Sequence, residues 1–478
     1  MRYIGLFLLL TLATVFSANI ENGKKIYDQW CAQCHGYEGD GMGYADKFSF
    51  PRPRDFTVGV YKFKSTVSGM PPLDEDLIRS IREGMHGTTM PGWKRFSDEE
   101  VRDLVAYIKT FSEDVFEDME DVEKVEISTV PKCDDAKIKL GKELYHGEAK
   151  CIDCHGNAGR GDGEKIWEPR FKDDWGNKIY PANHTHPWEF RRGTDLKDIY
   201  TIITGGIDGT PMTSYVDSLN DEQRWALSCY VRTLFLTRKL GPSIRFIRVD
   251  NLPQSPTDPF WDTVDYLDIP MAGQTTLNER NFTPVLTNVR VRGVYTETEV
   301  AVLLEWSDRK LNRGEDGLPP DTLYLKFPQK LAKGPEKPHF IIGDRKKAMY
   351  IWRWSAAEEG AKELIAKGPD RIKEQEGSDL RVSYHYKDGL YRVLFVRKLS
   401  TGDKEDLEFT VGKFIPFAVS VFDGQEGEKE PVKGTVSAWY YFILEPPTPM
   451  KVYILPPAVF LVSLGIGMFL HRKLRGQV

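Results

Sequence analysis

Long apolar runs are scarce in this chain of 478 residues, and its mean hydropathy of −0.43 excludes a membrane protein with many spans. Neither sign of charge dominates: the net charge is −6, so nothing indicates a nucleic-acid partner. The 41 glycines and 29 prolines are too few for a fibrous or disordered chain. Cysteine is also scarce, with six residues. What remains is a mostly soluble, globular chain of about two to four domains.

One of the few apolar runs lies at the start of the chain. Met1 and Arg2 precede an apolar run over residues 4–16, and the small residues Ser17 and Ala18 follow it. This pattern is typical of a secretory signal peptide, which we place at residues 1–18. Because a clean A-x-A cleavage site is lacking, the alternative is an N-terminal anchor that is not removed. Both alternatives place the body of the chain outside the cytoplasm.

The other apolar run lies near the end of the chain. Residues 452–470 carry no charge, and as a helix they span about 28 Å, close to the hydrocarbon thickness of a bilayer. The basic segment after them predicts a cytoplasmic tail at residues 471–478, and a buried core helix is the alternative. We therefore expect a single-pass protein of the cytoplasmic membrane, with its bulk on the outer, periplasmic face.

Four of the six cysteines form two identical C-x-x-C-H motifs: Cys31, Cys34 and His35, then Cys151, Cys154 and His155. Two thiols on one helical turn can each add to a vinyl group of a haem, while the adjacent histidine reaches the iron. The spacing is therefore typical of covalent c-type haem attachment. A zinc site needs four ligands, and neither motif has a second C-x-x-C nearby. A thioredoxin-like redox pair needs a preceding strand, whereas a helical pattern precedes both motifs.

The surroundings of the two motifs are duplicated as well. A G-K-x-x-Y segment precedes each motif, at residues 23–27 and 141–145, and a G-D-G segment follows each. A G-T-x-M segment ends at Met90 in one unit and at Met212 in the other. Each unit closes with a predicted helix, at residues 98–111 and 220–235. This pattern predicts an internal duplication.

Both units closely resemble the class I cytochrome c family, over about residues 20–112 and 133–240. The resemblance implies two all-α domains, at residues 19–115 and 133–240, each with a covalent haem between the motif histidine and a methionine. The axial pairs it implies are His35 with Met90 and His155 with Met212. Met42, Met70 and Met85 compete with Met90, and His86, His184 and His186 allow bis-histidine alternatives. The family's packing of a glycine on the first helix against an aromatic on the last matches Gly23 with Tyr107 and Gly141 with Tyr230.

Two further features lie outside the motifs. Residues 112–130 hold eight acidic residues and one lysine, so we interpret residues 116–132 as a solvated acidic linker, with a docking strip for a basic partner as the alternative. Cys133 and Cys229 remain as disulfide candidates in an oxidising compartment. In the cytochrome c family the first and last helices cross, which is compatible with this pairing.

Beyond about residue 240 the pattern changes to short alternating runs. Val300, Val302, Leu304 and Trp306 alternate with other residues, and the turn at 387–389 predicts a hairpin. Several such strands predict a mainly β sandwich at residues 241–448. The exception is residues 356–367, which predict a helix that ends at Gly368.

Motifs in this third domain go further: D-P-F-W at 258–261, E-W-S-D at 305–308, K-P-H-F at 337–340 and W-R-W at 352–354. They resemble the haem-binding γ subunit of ethylbenzene dehydrogenase and its relatives, over about residues 243–446. The resemblance implies a b-type haem between a lysine and a methionine. Lys433 matches the lysine, or is a surface lysine. Isoleucines stand where the methionine is expected, so His339 is the substitute, with Met271 and Met349 as alternatives.

Together these features predict a membrane-anchored electron-transfer protein of a respiratory chain. It would carry two c-type haems and one b-type haem, and it would have no catalytic residues. The γ-subunit resemblance implies a molybdopterin enzyme with an iron–sulfur subunit as partner. The cytochrome domains would exchange electrons with a soluble cytochrome or a terminal oxidase. One alternative is a dihaem peroxidase-like enzyme, which needs an open iron site. Another is a dihaem cytochrome whose β-sandwich only docks partners.

Overall fold

The computed structural model describes residues 18–331, 334–447 and 450–475, and the predicted signal peptide, except for its last residue, lies outside them. The described chain has two helical units, then a large sheet domain and a C-terminal helix.

The first helical unit contains four α-helices. They are α1 (Ile20–Trp30), α2 (Ala32–His35), α3 (Asp74–Glu83) and α4 (Asp98–Lys109). Asn19 caps α1 by accepting a hydrogen bond from the Asn22 backbone N–H. Ser97 and Glu100 form a capping box at the start of α4, which is why this helix begins where the sequence predicts.

The second helical unit repeats this order. Its helices are α5 (Asp135–His146), α6 (Ile152–His155), α7 (Leu196–Gly205) and α8 (Asp221–Thr233). Asn220 and Gln223 form the capping box of α8, the counterpart of the one on α4. The two units are therefore duplicated in structure as well as in sequence.

In both units the first helix crosses the last at a glycine. A Cβ on Gly23 would lie 2.0 Å from the Asp103 carbonyl oxygen and 2.9 Å from Cβ of Tyr107. A Cβ on Gly141 would lie 2.0 Å from the Ala226 carbonyl oxygen and 2.8 Å from Cβ of Tyr230. Only glycine allows the helix backbones to approach this closely. The two glycine–tyrosine pairs are those that the cytochrome c resemblance implies.

The acidic segment between the two units is not fully solvated, contrary to our interpretation. Lys124 forms an antiparallel bridge with Thr66, and the Val125 N–H donates to the Ser65 carbonyl at 2.9 Å. Val125 is buried in a small apolar cluster that includes Trp225 of the second unit. The apolar residues between the acidic ones therefore pack this segment against both units.

The third domain is built from fourteen strands of one continuous sheet. The strands are β1 (Ser243–Arg248), β2 (Tyr266–Pro270), β3 (Ala272–Gly273), β4 (Asn288–Tyr295), β5 (Glu299–Ser307), β6 (Thr322–Pro328), β7 (Met349–Ser355), β8 (Ala361–Ala366), β9 (Ile372–Glu374), β10 (Arg381–Lys387), β11 (Leu390–Lys398), β12 (Phe414–Phe422), β13 (Thr435–Val436) and β14 (Tyr440–Leu444). Its main path runs β10-β11-β5-β4-β1-β14-β12-β6-β7-β8-β9. One buried core receives side chains from β4, β5 and β11 and from β6, β7 and β12, so the two halves of the sheet face each other.

The predicted hairpin and the predicted helix of this domain have different outcomes. The hairpin is confirmed: β10 pairs antiparallel with β11, and Asp388 and Gly389 turn with φ of +48° and +70°. The helix at 356–367 is wrong, because β8 pairs there with β7 and β9. Buried partners on the sheet, including Arg397 at 3.2 Å from Glu363, outweigh the helix propensity of this segment.

A final helix, α9 (Met450–Arg475), covers the predicted span at 452–470. Among the described residues it is the one helix long and apolar enough to cross a membrane, and 455–475 are exposed.

Candidate haem centres

The first C-x-x-C-H motif sits between α1 and a tight glycine loop. Cys31 ends α1, α2 carries Cys34 and His35, and both thiols are free and half-buried. The Tyr27 hydroxyl of α1 donates to the Gly36 carbonyl at 2.8 Å. Gly36 has φ of +78°, and a Cβ there would lie 2.1 Å from the Asp40 carboxylate. The loop therefore folds back beneath the motif only because it begins with glycine.

His35 is oriented by its Nδ1 atom, which lies 2.9 Å from the Arg54 carbonyl oxygen. This contact fixes the N–H on Nδ1 and leaves Nε2 without a proton, so that it could ligate a metal. Burial lowers the pKa of His35, so the imidazole is neutral at pH 7, as iron ligation requires. The ring also stacks on Phe56, with centroids 4.6 Å apart.

The second motif reproduces this geometry. His155 Nδ1 lies 3.1 Å from the Ala182 carbonyl, and the Tyr145 hydroxyl donates to the Gly156 carbonyl at 3.0 Å. Burial lowers the pKa of His155 to about 4. Cys151 and Cys154 are again free and half-buried. Two independent copies of one arrangement therefore offer the same donor set.

The methionine loops are duplicated bond for bond. In the first unit the Thr88 hydroxyl donates to the Met85 carbonyl, and the backbone N–H of Met90 donates to that hydroxyl. In the second unit Thr210 makes the same two bonds, to the Ile207 carbonyl and from the Met212 N–H. Met90 thus corresponds to Met212, whereas the counterpart of Met85 is an isoleucine. This correspondence supports Met90 over Met85 as the first axial methionine.

The three histidines that the sequence offers as alternative axial ligands make other contacts in the structure or are exposed. His184 stacks on the ring of His155 itself, with centroids 4.1 Å apart, and so takes the place that Phe56 has in the first unit. His86 is exposed. His186 lies against Trp188, and its Nδ1 is 3.2 Å from a Glu189 carboxylate oxygen.

These residues fit a covalently attached haem. In each unit two free thiols precede an imidazole whose Nδ1 is already hydrogen-bonded, and the duplicated loop carries a methionine at the same position, Met90 or Met212. When bound, a haem of this kind supplies a one-electron iron couple.

Known protein families agree with this geometry. A family model of cytochrome c oxidase, cbb3-type, subunit III matches residues 18–108, and a cytochrome c family model matches residues 138–235. The chain contains two cytochrome c domains. A protein of Haloferax mediterranei named as a respiratory nitrate reductase heme subunit (ORF7) is 25% identical over 203 residues, which are 42% of this chain and 72% of that protein.

Two solved structures are also similar to parts of the chain. One is a chain of the Kuenenia stuttgartiensis reducing HAO-like protein complex Kustc0457/Kustc0458, with 38% identity, 46% of this chain and 98% of that chain covered, and a TM-score of 0.44. The other is a family 9 carbohydrate binding module from Caldicellulosiruptor kristjanssonii, with 12% identity, 43% of this chain and 98% of that chain covered, and a TM-score of 0.27.

Ion pairs join the two cytochrome c domains. Lys64 of the first domain is buried and lies 2.7 Å from the carboxylate of Asp208, in the methionine loop of the second. Ser68 and Gly69 of the first domain donate to the same carboxylate at 2.7 and 3.0 Å. Arg79 grips Asp198 with two hydrogen bonds of 2.6 and 2.8 Å. Sequence reasoning missed these residues, because ion pairs between distant segments leave no local pattern.

The disulfide candidates are joined. Cys133 and Cys229 form a disulfide that links the segment before α5 to α8, with Cα atoms 5.5 Å apart. The disulfide therefore stabilises the crossing of α5 and α8, where Gly141 allows the two helices to approach closely.

In the sheet domain the predicted b-haem ligands lie on segments that border one apolar cluster. His339 is exposed and stacks on its neighbour Phe340, and Lys433 is half-buried in a turn. Phe340 and Trp439 pack on the same cluster. A different lysine, Lys326, is fully buried, and its ammonium donates to the Ile341 carbonyl at 3.0 Å. Pairing of Lys433 with His339 stays a prediction.

Proposed function

We propose that this protein is an exported, membrane-anchored dihaem cytochrome that transfers electrons in a respiratory complex. The observation that carries the proposal is the duplicated pair of a carbonyl-bound motif histidine and a threonine-ordered methionine loop. A site with both axial positions filled by protein passes electrons and does not readily bind a substrate. The residues proposed to hold the two haems are Cys31, Cys34, His35 and Met90, and Cys151, Cys154, His155 and Met212.

Within this proposal the protein positions and tunes two redox centres. His35 and His155 are held neutral and oriented by backbone carbonyls. Thioether ligands from Met90 and Met212 would raise the reduction potential relative to histidine. The ion pairs between the two domains would keep the distance between the centres constant.

Substitution of the methionines tests this assignment. Met90→His and Met212→His should each lower one midpoint potential in a redox titration by on the order of 0.2 V, a quarter of the ~0.8 V that axial ligands span. Met42→His, at an exposed methionine of the first domain, is the matched control and should leave both potentials unchanged. High-spin, five-coordinate ferric iron in the resting wild type would instead favour the peroxidase-like alternative.

We further propose that the sheet domain is related to the ethylbenzene dehydrogenase γ subunit, binds a b-type haem through Lys433 and His339, and docks a molybdenum enzyme with an iron–sulfur subunit. The relative named as a nitrate reductase heme subunit supports a respiratory setting. Acid–acetone extraction followed by pyridine haemochrome analysis tests the haem. One extractable b haem per chain supports it, and none leaves the sheet domain as a docking module.

Anchoring by α9 and export of the bulk are part of the same proposal. The exposed apolar surface at 455–470 and the cations at the end of the helix support it. Expression of residues 1–447 should move the cytochrome from the membrane fraction to the periplasmic fraction. Retention of this shorter chain in the membrane would show that α9 is not the sole anchor, as expected if the N-terminal apolar run is not removed.

A further inference from the structure

The loops at one end of the sheet bring three aspartates together. Asp308 follows β5, Asp321 precedes β6 and Asp423 follows β12. One carboxylate oxygen from each lies within 4.8 Å of the others. Their exposed fractions are 5%, 0% and 8%. We propose that Asp308, Asp321 and Asp423 form a binding site for a divalent cation, specifically Ca²⁺.

One oxygen of these carboxylates is fully buried and has no hydrogen-bond partner among the described residues. Asp321 accepts from the Asn312 and Gly424 backbone N–H groups and from the Tyr391 hydroxyl, at 2.6–2.9 Å. In Asp308, Oδ1 accepts from the Lys310 N–H, whereas Oδ2 is buried and meets no donor in the part of the chain that the structure describes. A buried carboxylate oxygen without a donor is costly unless a cation meets it.

The protein compensates the negative charge of the cluster only in part, through the nearby Arg309, which lowers the pKa of Asp308 and Asp423 against the effect of burial. Within the described ranges no lysine, arginine or histidine forms an ion pair with any of the three carboxylates. The nearby Arg309 instead places its guanidinium 4.0 Å from the centroid of the Tyr180 ring. Burial, with repulsion from Glu426 and Asp321, raises the pKa of Asp423 to about 7, and burial raises that of Asp321 to about 6. A bound divalent cation would remove this repulsion.

The donor set selects the kind of cation. All three groups are carboxylates, which are hard oxygen ligands, and no nitrogen or sulfur atom belongs to the cluster. Ca²⁺ accepts such irregular oxygen sets in flexible geometry, whereas Mg²⁺ requires a near-ideal octahedron and gives up its waters reluctantly.

The site lies beneath the contact with the second cytochrome c domain. The Asp308 N–H donates to the Gly389 carbonyl, next to Asp388, whose carbonyl accepts from Arg160 of that domain at 3.0 Å. In the loop after Asp423, Glu426 pairs with Lys178 of that domain at 3.0 Å. Ca²⁺ would therefore order the two loops on which the cytochrome domain rests.

Metal analysis of the full-length, haem-loaded protein in detergent tests this site, with CaCl₂ alone as the probe. After chelator treatment and re-addition of Ca²⁺, wild type should retain about one Ca²⁺ per chain and gain ~5 °C in unfolding temperature. The double variant Asp308→Asn/Asp423→Asn should lose at least 100-fold in Ca²⁺ affinity. Asp370→Asn, at an exposed aspartate of the same domain, should bind like wild type.

Two outcomes would overturn the proposal. One is wild-type protein that binds no Ca²⁺ at millimolar concentration after chelation. The other is a double variant with unchanged affinity. If the double variant loses its haem spectrum and has therefore misfolded, the wild-type titration decides alone: an unfolding temperature that responds to neither chelator nor Ca²⁺ rejects the site.

Discussion

The two cytochrome c domains share the same crossing of their first and last helices, but different interactions stabilise this crossing. Both cross their first and last helices at a glycine, at Gly23 and Gly141. In the first domain the carboxylate of Asp103 on α4 accepts hydrogen bonds from the Asn19 N–H and the Asn22 side chain, both at 2.7 Å. In the second domain the Cys133–Cys229 disulfide fastens the crossing. The close approach is common to both domains, whereas the fastening differs.

The two domains differ again around their redox centres. Phe56 stacks on His35, but His184 stacks on His155. His86 and Asp208 occupy corresponding positions in the two methionine loops. His86 is exposed, whereas Asp208 forms an ion pair with Lys64 of the other domain. Bonds to the motif histidine and within the methionine loop are thus duplicated, and the packing around them has diverged.

Loss of the shared helix crossing should have the largest effect, and an equal one in both domains. Gly23→Ala and Gly141→Ala each place a Cβ 2.0 Å from a carbonyl oxygen on the backbone of the facing helix. The helices must separate, so we expect each domain to lose more than about 4 kcal/mol in urea unfolding. Lys25→Ala and Lys142→Ala, on the exposed faces of the same helices, should change little. A stable, fully haem-loaded Gly141→Ala protein would show that the crossing is not essential.

The next largest effect should distinguish the two methionine loops. Asp208→Ala leaves the buried Lys64 ammonium without its carboxylate, and we expect a loss of about 3 to 4 kcal/mol in urea unfolding. His86→Ala, at the matching position, should have no measurable effect, because that side chain is exposed. Equal effects of the two substitutions would mean that the contact between the domains does not stabilise the second loop.

Local signals explain what the sequence predicts correctly. The two cytochrome c domains and the Asp388–Gly389 turn are each indicated by a few adjacent residues, and the capping boxes at Ser97 and Asn220 start the closing helices close to where the sequence predicts them. Pairing at long range explains the failures. The segment at 356–367 has helical composition, but β8 is fixed by its neighbours on the sheet. Three further features depend on segments that are far apart in sequence: the packing of Val125, the ion pair between Lys64 and Asp208, and the cluster of three aspartates.

Removal of the disulfide should show that the disulfide and the Asp103 hydrogen bonds stabilise their two domains independently. Cys133→Ala/Cys229→Ala opens a loop of 96 residues in the unfolded chain and should cost the second domain about 2 to 3 kcal/mol. Mild reductant should destabilise the second domain of the wild type by the same amount as the double substitution. It should leave the first domain unaffected, since cysteines in thioether links to haem are not reduced. Asp103→Asn is the matched change in the first domain and should not respond to reductant. Hydrogen exchange resolved by domain measures both, and uniform destabilisation would contradict separate fastenings.

The smallest effect should come from exchanging the residues that stack on the motif histidines. Nδ1 of His184 is buried without a described partner, and burial lowers the pKa of its imidazole well below the usual value. His184→Phe removes this unpaired polar atom, so we expect the second domain to gain about 1 kcal/mol in urea unfolding. Phe56→His introduces the same cost into the first domain and should lose about 1 kcal/mol. If His184→Phe instead destabilised its domain, the imidazole would contribute an interaction with the haem that a phenyl ring cannot make, and the divergence between the domains would be functional.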